Sequence, residues 1–302
     1  MQPRRFAVVY VFMKLRWPMF CLGLVASTAV AQIQVELKFP RLQYIAYEPV
    51  VANLTITNLA GRDVDLRDNG NQAWFGFEVT GADGQSIPQI SNVSTEALTI
   101  ATGKRVTRKI NLTPLYGVHD FGTYRVRAHI YFADLNKFFY SPTKVFEVTD
   151  ARPIWQKTVG VPPEQGASGN ARTYSLITNR FPDHTSLYVR VENKDTGLVY
   201  ATYSLGQLIA FDQPQAEFDR SNQLHVLYCA APRTWSYARV GLNGELISRA
   251  SFGETKTRPR LVHSDDGMVK VAGGMMDTPL TQAAREAAPK LSARPPNPPE
   301  DD

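Results

Sequence analysis

The chain has 302 residues, and its 33 lysines and arginines outnumber its 28 aspartates and glutamates to give a formal net charge of +5. Four cations and no anion lie in residues 1–31, so removing that segment leaves a charge of only +1. Such a balance excludes the general electrostatic attraction on which nonspecific nucleic-acid binding depends. The remaining length is sufficient for two ordinary domains.

Residues 1–31 predict a cleavable signal peptide. Basic residues precede an uncharged, mostly apolar run over residues 17–30, and the small residues Ala29 and Ala31 give the A-x-A pattern of a signal-peptidase site. We therefore predict cleavage between Ala31 and Gln32. The apolar run is shorter than the roughly 20 residues of a membrane-spanning helix, which disfavours the alternative of an uncleaved anchor. The sequence thus predicts a periplasmic or extracellular protein with no membrane span after cleavage.

Residues 32–150, the first module, show the alternation of apolar and polar residues that predicts β-strands. The clearest case is residues 33–39, where every second residue is apolar. Turn-forming residues separate further predicted strands at 50–57, 73–80, 105–112, 123–132 and 144–149. No segment keeps a helical period across three turns. Short strands at this spacing predict an antiparallel sandwich.

Residues 120–128 carry a more specific motif. They read Asp-Phe-Gly-Thr-Tyr-Arg-Val-Arg-Ala and resemble the D-x-G-x-Y-x-C-x-A signature of immunoglobulin-like domains. The resemblance implies an immunoglobulin-like β-sandwich in which Tyr124 forms a tyrosine corner with the upstream backbone. Val126 stands where the cysteine would be, so we expect no inter-sheet disulfide. Cys229 is the only cysteine beyond residue 31, and we expect a buried, inert thiol there.

The predicted strand at 123–132, which includes most of this motif, has two predicted faces, because alternate residues of a strand point to opposite sides. The residues predicted to point inward are Tyr124, Val126, Ala128, Ile130 and Phe132, and those predicted to point outward are Arg125, Arg127, His129 and Tyr131.

Three successive aromatic residues follow at Phe138, Phe139 and Tyr140. They cannot all face one core, so at least one is expected to be exposed or to cover a neighbouring module. We interpret these three aromatics, with Arg125 and Arg127, as a candidate interaction surface. The plainer interpretations are a solvated strand face for the arginines and packing of the aromatics against the second module.

Residues 151–274, the second module, repeat a short pattern. Segments 187–191, 224–228 and 268–272 align at intervals of 37 and 44 residues, each after a turn. This rhythm is typical of β-propeller blades, and the repeats resemble those of secreted sialidase-like propellers, with Ser264-Asp-Asp-Gly approximating an Asp-box. About two and a half repeats are too few for a closed propeller. We predict an incomplete propeller, a compact β-meander or one part of an oligomer joined through open strand edges.

Residues 275–302 form a proline-rich tail that predicts disorder, with a docking peptide as the alternative. Elsewhere the sequence has no catalytic motif, no paired cysteines and no histidine spacing suited to a metal. We therefore predict no catalytic residue, no cofactor and no metal site.

The leading functional hypothesis is an exported, non-enzymatic binding protein of the cell envelope, whose partner is an envelope protein or a glycan. The propeller-like repeats suggest one alternative, a carbohydrate-active enzyme or its accessory subunit. The other alternative is a structural component of the envelope.

Overall fold

The computed structural model describes residues 33–70, 72–91, 96–161, 171–209 and 212–277. The predicted cleavage site at Ala31 and Gln32 lies outside the described residues, as does nearly all of the tail. The described chain is almost entirely β-strand in several, mostly antiparallel sheets, so the predicted all-β fold is confirmed. Within it, no helix has the length and apolar character needed to cross a membrane.

In the part of the first module that the structure describes there are ten strands, one helical turn and one 3₁₀ turn. In chain order these are β1 (Ile33–Lys38), β2 (Gln43–Ile45), β3 (Val51–Asn58), β4 (Val64–Leu66), β5 (Phe75–Thr80), β6 (Leu98–Ile100), β7 (Arg105–Asn111), α1 (Thr113–Tyr116), β8 (Gly122–Phe132), the 3₁₀ turn (Ala133–Leu135), β9 (Lys137–Tyr140) and β10 (Lys144–Thr149). One sheet has the order β1-β3-β7 and the other β2-β10-β8-β5, with β9 paired to the end of β8. Strands β4 and β6 pair as a separate two-stranded sheet.

Both sheets contribute to a single core in the first module, because each strand turns every second side chain inward. The five residues of β8 predicted to point inward are all buried. Tyr131 lies on the predicted outer face but is buried there, because the ring of Phe138 covers it at a centroid distance of 5.0 Å. Trp74, just before β5, is the largest fully buried side chain of this core.

The predicted tyrosine corner is present. The hydroxyl of Tyr124 donates a hydrogen bond of 2.8 Å to the carbonyl oxygen of Asp120, and its ring stacks on Phe146 at 5.4 Å. The ring therefore packs in the core while its polar end closes the turn before β8.

We expect Tyr124→Phe to lower the free energy of unfolding by about 0.5–1.5 kcal/mol, the net value of one hydrogen bond. The ring and its packing stay, so urea unfolding should show a shifted midpoint with an unchanged slope. Tyr140→Phe is the matched control, since its ring is 44% exposed and should leave the midpoint in place. Equal midpoints for Tyr124→Phe and the unaltered protein would show that the corner contributes nothing.

The described residues of the second module, together with residues 275–276 of the predicted tail, contain eleven strands. They are β11 (Pro153–Gly160), β12 (Ala171–Arg180), β13 (Thr185–Asn193), β14 (Val199–Leu208), β15 (Gln215–Phe218), β16 (Leu224–Ala231), β17 (Thr234–Val240), β18 (Leu246–Gly253), β19 (Arg260–His263), β20 (Val269–Ala272) and β21 (Met275–Met276). They form an antiparallel meander β11-β12-β13-β14, a second sheet β15-β16-β17-β18-β21 and the hairpin β19-β20. The predicted disorder is therefore wrong for the first two residues of the tail, which pair with the preceding sheet.

The repeats in the sequence correspond to three hairpins, β12-β13, β15-β16 and β19-β20. Each aligned segment falls on the second strand of its hairpin; nearly all residues of the first two segments are buried, whereas only Val269 is buried in the third. The two large sheets share one apolar core, and the β19-β20 hairpin packs on the outer face of the second sheet.

A small contact region joins the two modules. Arg41 bridges them, because its Nη1 donates to the Tyr188 hydroxyl at 2.7 Å and its Nη2 donates to the Glu48 carboxylate at 2.5 Å. Beside this bridge, Ile45 packs against Ile177 and Tyr188. The face of the first meander is thereby covered by the loop that follows β2.

Candidate binding groove along an edge strand

Strand β1 lies at the edge of the first sheet. Ile33, Val35 and Leu37 are buried and anchor it in the core, while the intervening side chains are turned outward. Among the described residues β1 pairs only with β3. In an antiparallel pair, alternate residues direct their N–H and C=O groups away from the partner strand. The outer side of β1 therefore presents a row of backbone donors and acceptors.

A groove of about 490 Å³ runs along this open side, and all six residues of β1 line it. We call it the edge groove. Its opposite wall is formed by Tyr140, Pro142 and Lys144, from the link between β9 and β10. Pro142 has no N–H group, so this wall cannot donate a backbone hydrogen bond at that position.

The wall is held in place by Ser141. This side chain is buried, and its Oγ accepts a hydrogen bond from the N–H of Ala128 at 3.0 Å. The N–H of Ser141 in turn donates to the carbonyl oxygen of Ala128 at 2.9 Å. Because both bonds fix the link to β8, Tyr140 and Pro142 on either side of Ser141 keep a defined position along the groove.

Tyr140 connects the edge groove to a cluster of aromatic and charged side chains on the outer face of β8. Its ring is 44% exposed, and the guanidinium of Arg127 lies 4.2 Å from its centroid. Arg127 also forms an ion pair of 2.6 Å with Glu78 on β5. The ring of His129 lies between Phe138 and Tyr140, at 5.6 and 6.1 Å.

A glycine on β5 makes room for this cluster. A Cβ atom at Gly76 would lie 2.7 Å from Nε2 of His129, which is closer than nonbonded atoms approach. The imidazole can therefore lie over the backbone of β5. Burial lowers the pKa of His129 below its ordinary value of 6.5, since the nearby Arg127 adds to the desolvation and Glu78 offsets only part of it.

The structure brings together part of the surface predicted from the sequence. Arg127, Phe138 and Tyr140 form one cluster. Phe139 points to the other side and packs against the core. Arg125 is exposed and pairs with Val145 of β10 in the strand register. The contacts between the modules come instead from Arg41 and its neighbours, so the expected role of the three aromatics in that junction is wrong.

The sequence did not indicate a buried polar network in the second module. The Nε2 atom of His225 lies 3.1 Å from Oδ2 of Asp219, and its Nδ1 lies 2.7 Å from the Tyr237 hydroxyl. A neutral ring with its proton on Nε2 satisfies both contacts, donating to Asp219 and accepting from Tyr237. Only 1% of His225 is exposed. The network is therefore closed to a substrate and stabilises the β15-β16 hairpin.

This network predicts a loss of stability in acid. Burial lowers the pKa of His225 below 6.5, and hydrogen bonding to Asp219 opposes this only in part. The unfolded chain therefore takes up a proton near pH 6.5 that the folded chain resists. The contribution of neutral His225 to the free energy of unfolding is complete above that pH. It is lost as the pH falls, by at most about 1.4 kcal/mol per pH unit for one proton.

Urea unfolding between pH 7 and pH 5 measures this effect. The His225→Asn variant should lose less stability over that interval than the unaltered protein, because the titrating group is gone. Identical pH slopes for the two proteins would contradict the assignment of the proton to His225.

In the described residues, no group of three or more histidine, cysteine, aspartate or glutamate side chains is placed to hold a metal ion. Cys229 is buried and burial raises the pKa of its thiol.

Comparison with known proteins gives no assignment. No protein-family model matches this sequence, and a search of curated proteins gives no match. The class of protein is therefore defined by its fold, a two-module all-β chain with an open edge strand, and its function must be argued from the groove itself.

Proposed function

We propose that this chain is an exported, non-enzymatic binding protein that recognises an extended polypeptide segment by strand addition to β1. The observation that carries the proposal is the edge groove, which follows the open side of β1 over the strand's whole length of six residues. Added strands gain affinity from backbone hydrogen bonds and specificity from the contacts of alternate side chains.

The groove offers both kinds of contact. The backbone groups of β1 repeat at the spacing of a strand, which an incoming extended chain matches residue by residue. Opposite them, Tyr140 and Pro142 supply apolar surface for one set of alternate side chains. Lys144 adds a cation on the same wall, so an acidic residue in the bound segment would be favoured.

A polypeptide fits this groove better than a sugar does. Proteins commonly bind sugars by stacking a ring on an exposed aromatic face, but the Arg127 guanidinium already lies over the ring of Tyr140 at 4.2 Å. Arg127 is itself held by Glu78. The polar groups that remain along the groove belong mainly to the backbone of β1, and these are suited to another strand.

The proposed cellular location rests on the first 31 residues. Their basic, apolar and small-residue regions have the order of a secretory signal. The partner is therefore expected to be a protein of the periplasm or of the cell exterior, with an extended segment available for pairing.

The first test is a selection of random peptides on the immobilised protein. We expect enriched sequences with alternating apolar residues, and a Tyr140→Ala variant should bind a selected peptide about ten-fold more weakly, as for an aromatic contact worth about 1.4 kcal/mol. Isothermal titration calorimetry measures this difference.

Tyr200→Ala is the matched control, because Tyr200 is an exposed tyrosine on β14 of the second module. It should leave the affinity unchanged. A selection without enriched peptides, or equal weakening by both substitutions, would contradict recognition in the edge groove.

A further inference from the structure

A second cleft lies between the two modules and is independent of the edge groove. It has a volume of about 400 Å³, and we call it the junction cleft. Tyr47, Pro49 and Pro114 form its wall on the first module, and Tyr200 and Thr202 of β14 belong to the opposite wall. Three tyrosines, with Tyr203 as the third, and two prolines give it an aromatic lining.

Tyr47 is held in this cleft at a conformational cost. Its φ of +66° lies in the left-handed region, which bulky residues rarely adopt. Its exposed ring meets the edge of His119 at 5.1 Å, and the Arg190 guanidinium lies 5.5 Å from its centroid. Strain of this kind persists where the surrounding structure enforces it, and it clusters at binding sites.

Two arginines contact tyrosine rings of the cleft, Arg172 the ring of Tyr200 and Arg190 that of Tyr47, although neither arginine lines the cleft itself. Arg172 is only 8% exposed and lies 4.3 Å from the ring centroid of Tyr200, yet its Nε and Nη1 have no hydrogen-bond partner. Arg190 donates to the carbonyl oxygen of Ala46 at 2.8 Å. Within the described residues neither arginine has a carboxylate within 4 Å. Such cations favour an acidic occupant.

We propose that the junction cleft binds the C-terminal segment of the same chain, residues 294–302. This segment reads Arg-Pro-Pro-Asn-Pro-Pro-Glu-Asp-Asp. Proline-rich segments favour the polyproline conformation, which docks in grooves lined by aromatic residues. The three terminal acidic residues complement Arg172 and Arg190. Proline content and charge thus both match the cleft.

The described chain ends close enough for this contact. The N–H of Asp277, the last described residue, donates to the carbonyl oxygen of Ser251 on β18. Arg249 lies two residues before Ser251 on the same strand, and its Nη2 donates to the carbonyl oxygen of Ser204 on β14. Ser204 is four residues from Tyr200. At about 3.3 Å per strand residue, the path from Asp277 to Tyr200 through these contacts is on the order of 30 Å. Residues 278–293 can span about 50 Å at the polyproline rise.

Photo-crosslinking in the full chain tests the proposal. A benzoylphenylalanine placed at Asn297 should crosslink to peptides that contain residues 47–49 or 199–203, as read by mass spectrometry. The triple variant Glu300→Gln, Asp301→Asn, Asp302→Asn should lower that yield about five-fold, the effect of about 1 kcal/mol.

Two controls identify the occupant. Tyr140→Ala, in the edge groove, should leave the crosslink yield unchanged. In a mixture of ¹⁵N-labelled and unlabelled chains, light-to-light and heavy-to-heavy products support docking within one chain. Mixed products would overturn it in favour of a second copy. Crosslinks scattered over the surface, or a yield that ignores the acidic residues, would overturn the proposal altogether.

Discussion

Asp219→Ala should lower the free energy of unfolding by about 3–5 kcal/mol, because it leaves several buried donors without an acceptor. Asp219 is only 4% exposed. Its Oδ1 accepts hydrogen bonds from the N–H groups of Ser221 and Gln223 at 2.8 and 3.0 Å, and its Oδ2 accepts from His225. Alanine removes all three at the turn that joins β15 to β16.

Urea unfolding followed by tryptophan fluorescence measures this loss. Asp183→Ala is the matched control at the turn of the preceding hairpin. Asp183 is exposed, and within the described residues its side chain bonds only to the neighbouring His184. It should leave the unfolding midpoint unchanged. A midpoint for Asp219→Ala equal to that of Asp183→Ala would show that the buried network does not stabilise the hairpin.

Arg41→Ala should have the second large effect, lowering the free energy of unfolding by about 2–4 kcal/mol. Glu48 is only 4% exposed, so removing Arg41 leaves a buried carboxylate without its cation. The N–H of Ile45 still bonds to Glu48 at 3.1 Å, and this keeps the loss moderate. Tyr188 loses the donor to its hydroxyl, whose pKa burial raises to about 12.

The same measurement on Arg62→Ala provides the control for Arg41→Ala. Arg62 forms a 3.1 Å ion pair with Asp134 on the surface of the first module, where both side chains are about half exposed. Exposed pairs contribute less than about 1 kcal/mol. If both arginine variants lose the same stability, Arg41 does not hold the modules together.

Local patterns in the sequence account for much of the first module. The nine residues around Tyr124 predicted its hydrogen bond to the backbone and the inward face of β8, because both depend on alternation within one strand. Tyr131 shows where alternation is insufficient. It lies on the predicted outer face, but β9 folds back over it, and a pattern of period two contains no information on what covers a face.

The candidate sites depend on long-range pairing and were less accessible to sequence reasoning. Residues 33–39 predicted β1, but only the sheet order shows that β1 is an edge strand facing Tyr140. Asp219, His225 and Tyr237 come from a turn and two strands, and the register of β16 on β17 brings them together. The repeats predicted three recurring strands that each follow a turn, yet not how their sheets stack.

The most direct test of strand addition is an N-methyl scan of a peptide selected on this protein. Each N-methyl group removes one backbone donor and leaves the side chain in place. The account predicts that methylation weakens binding more than ten-fold at every second residue, where the N–H faces β1, and has little effect at the residues between. Sensitivity that is uniform along the peptide, or that is absent, would contradict recognition by strand pairing.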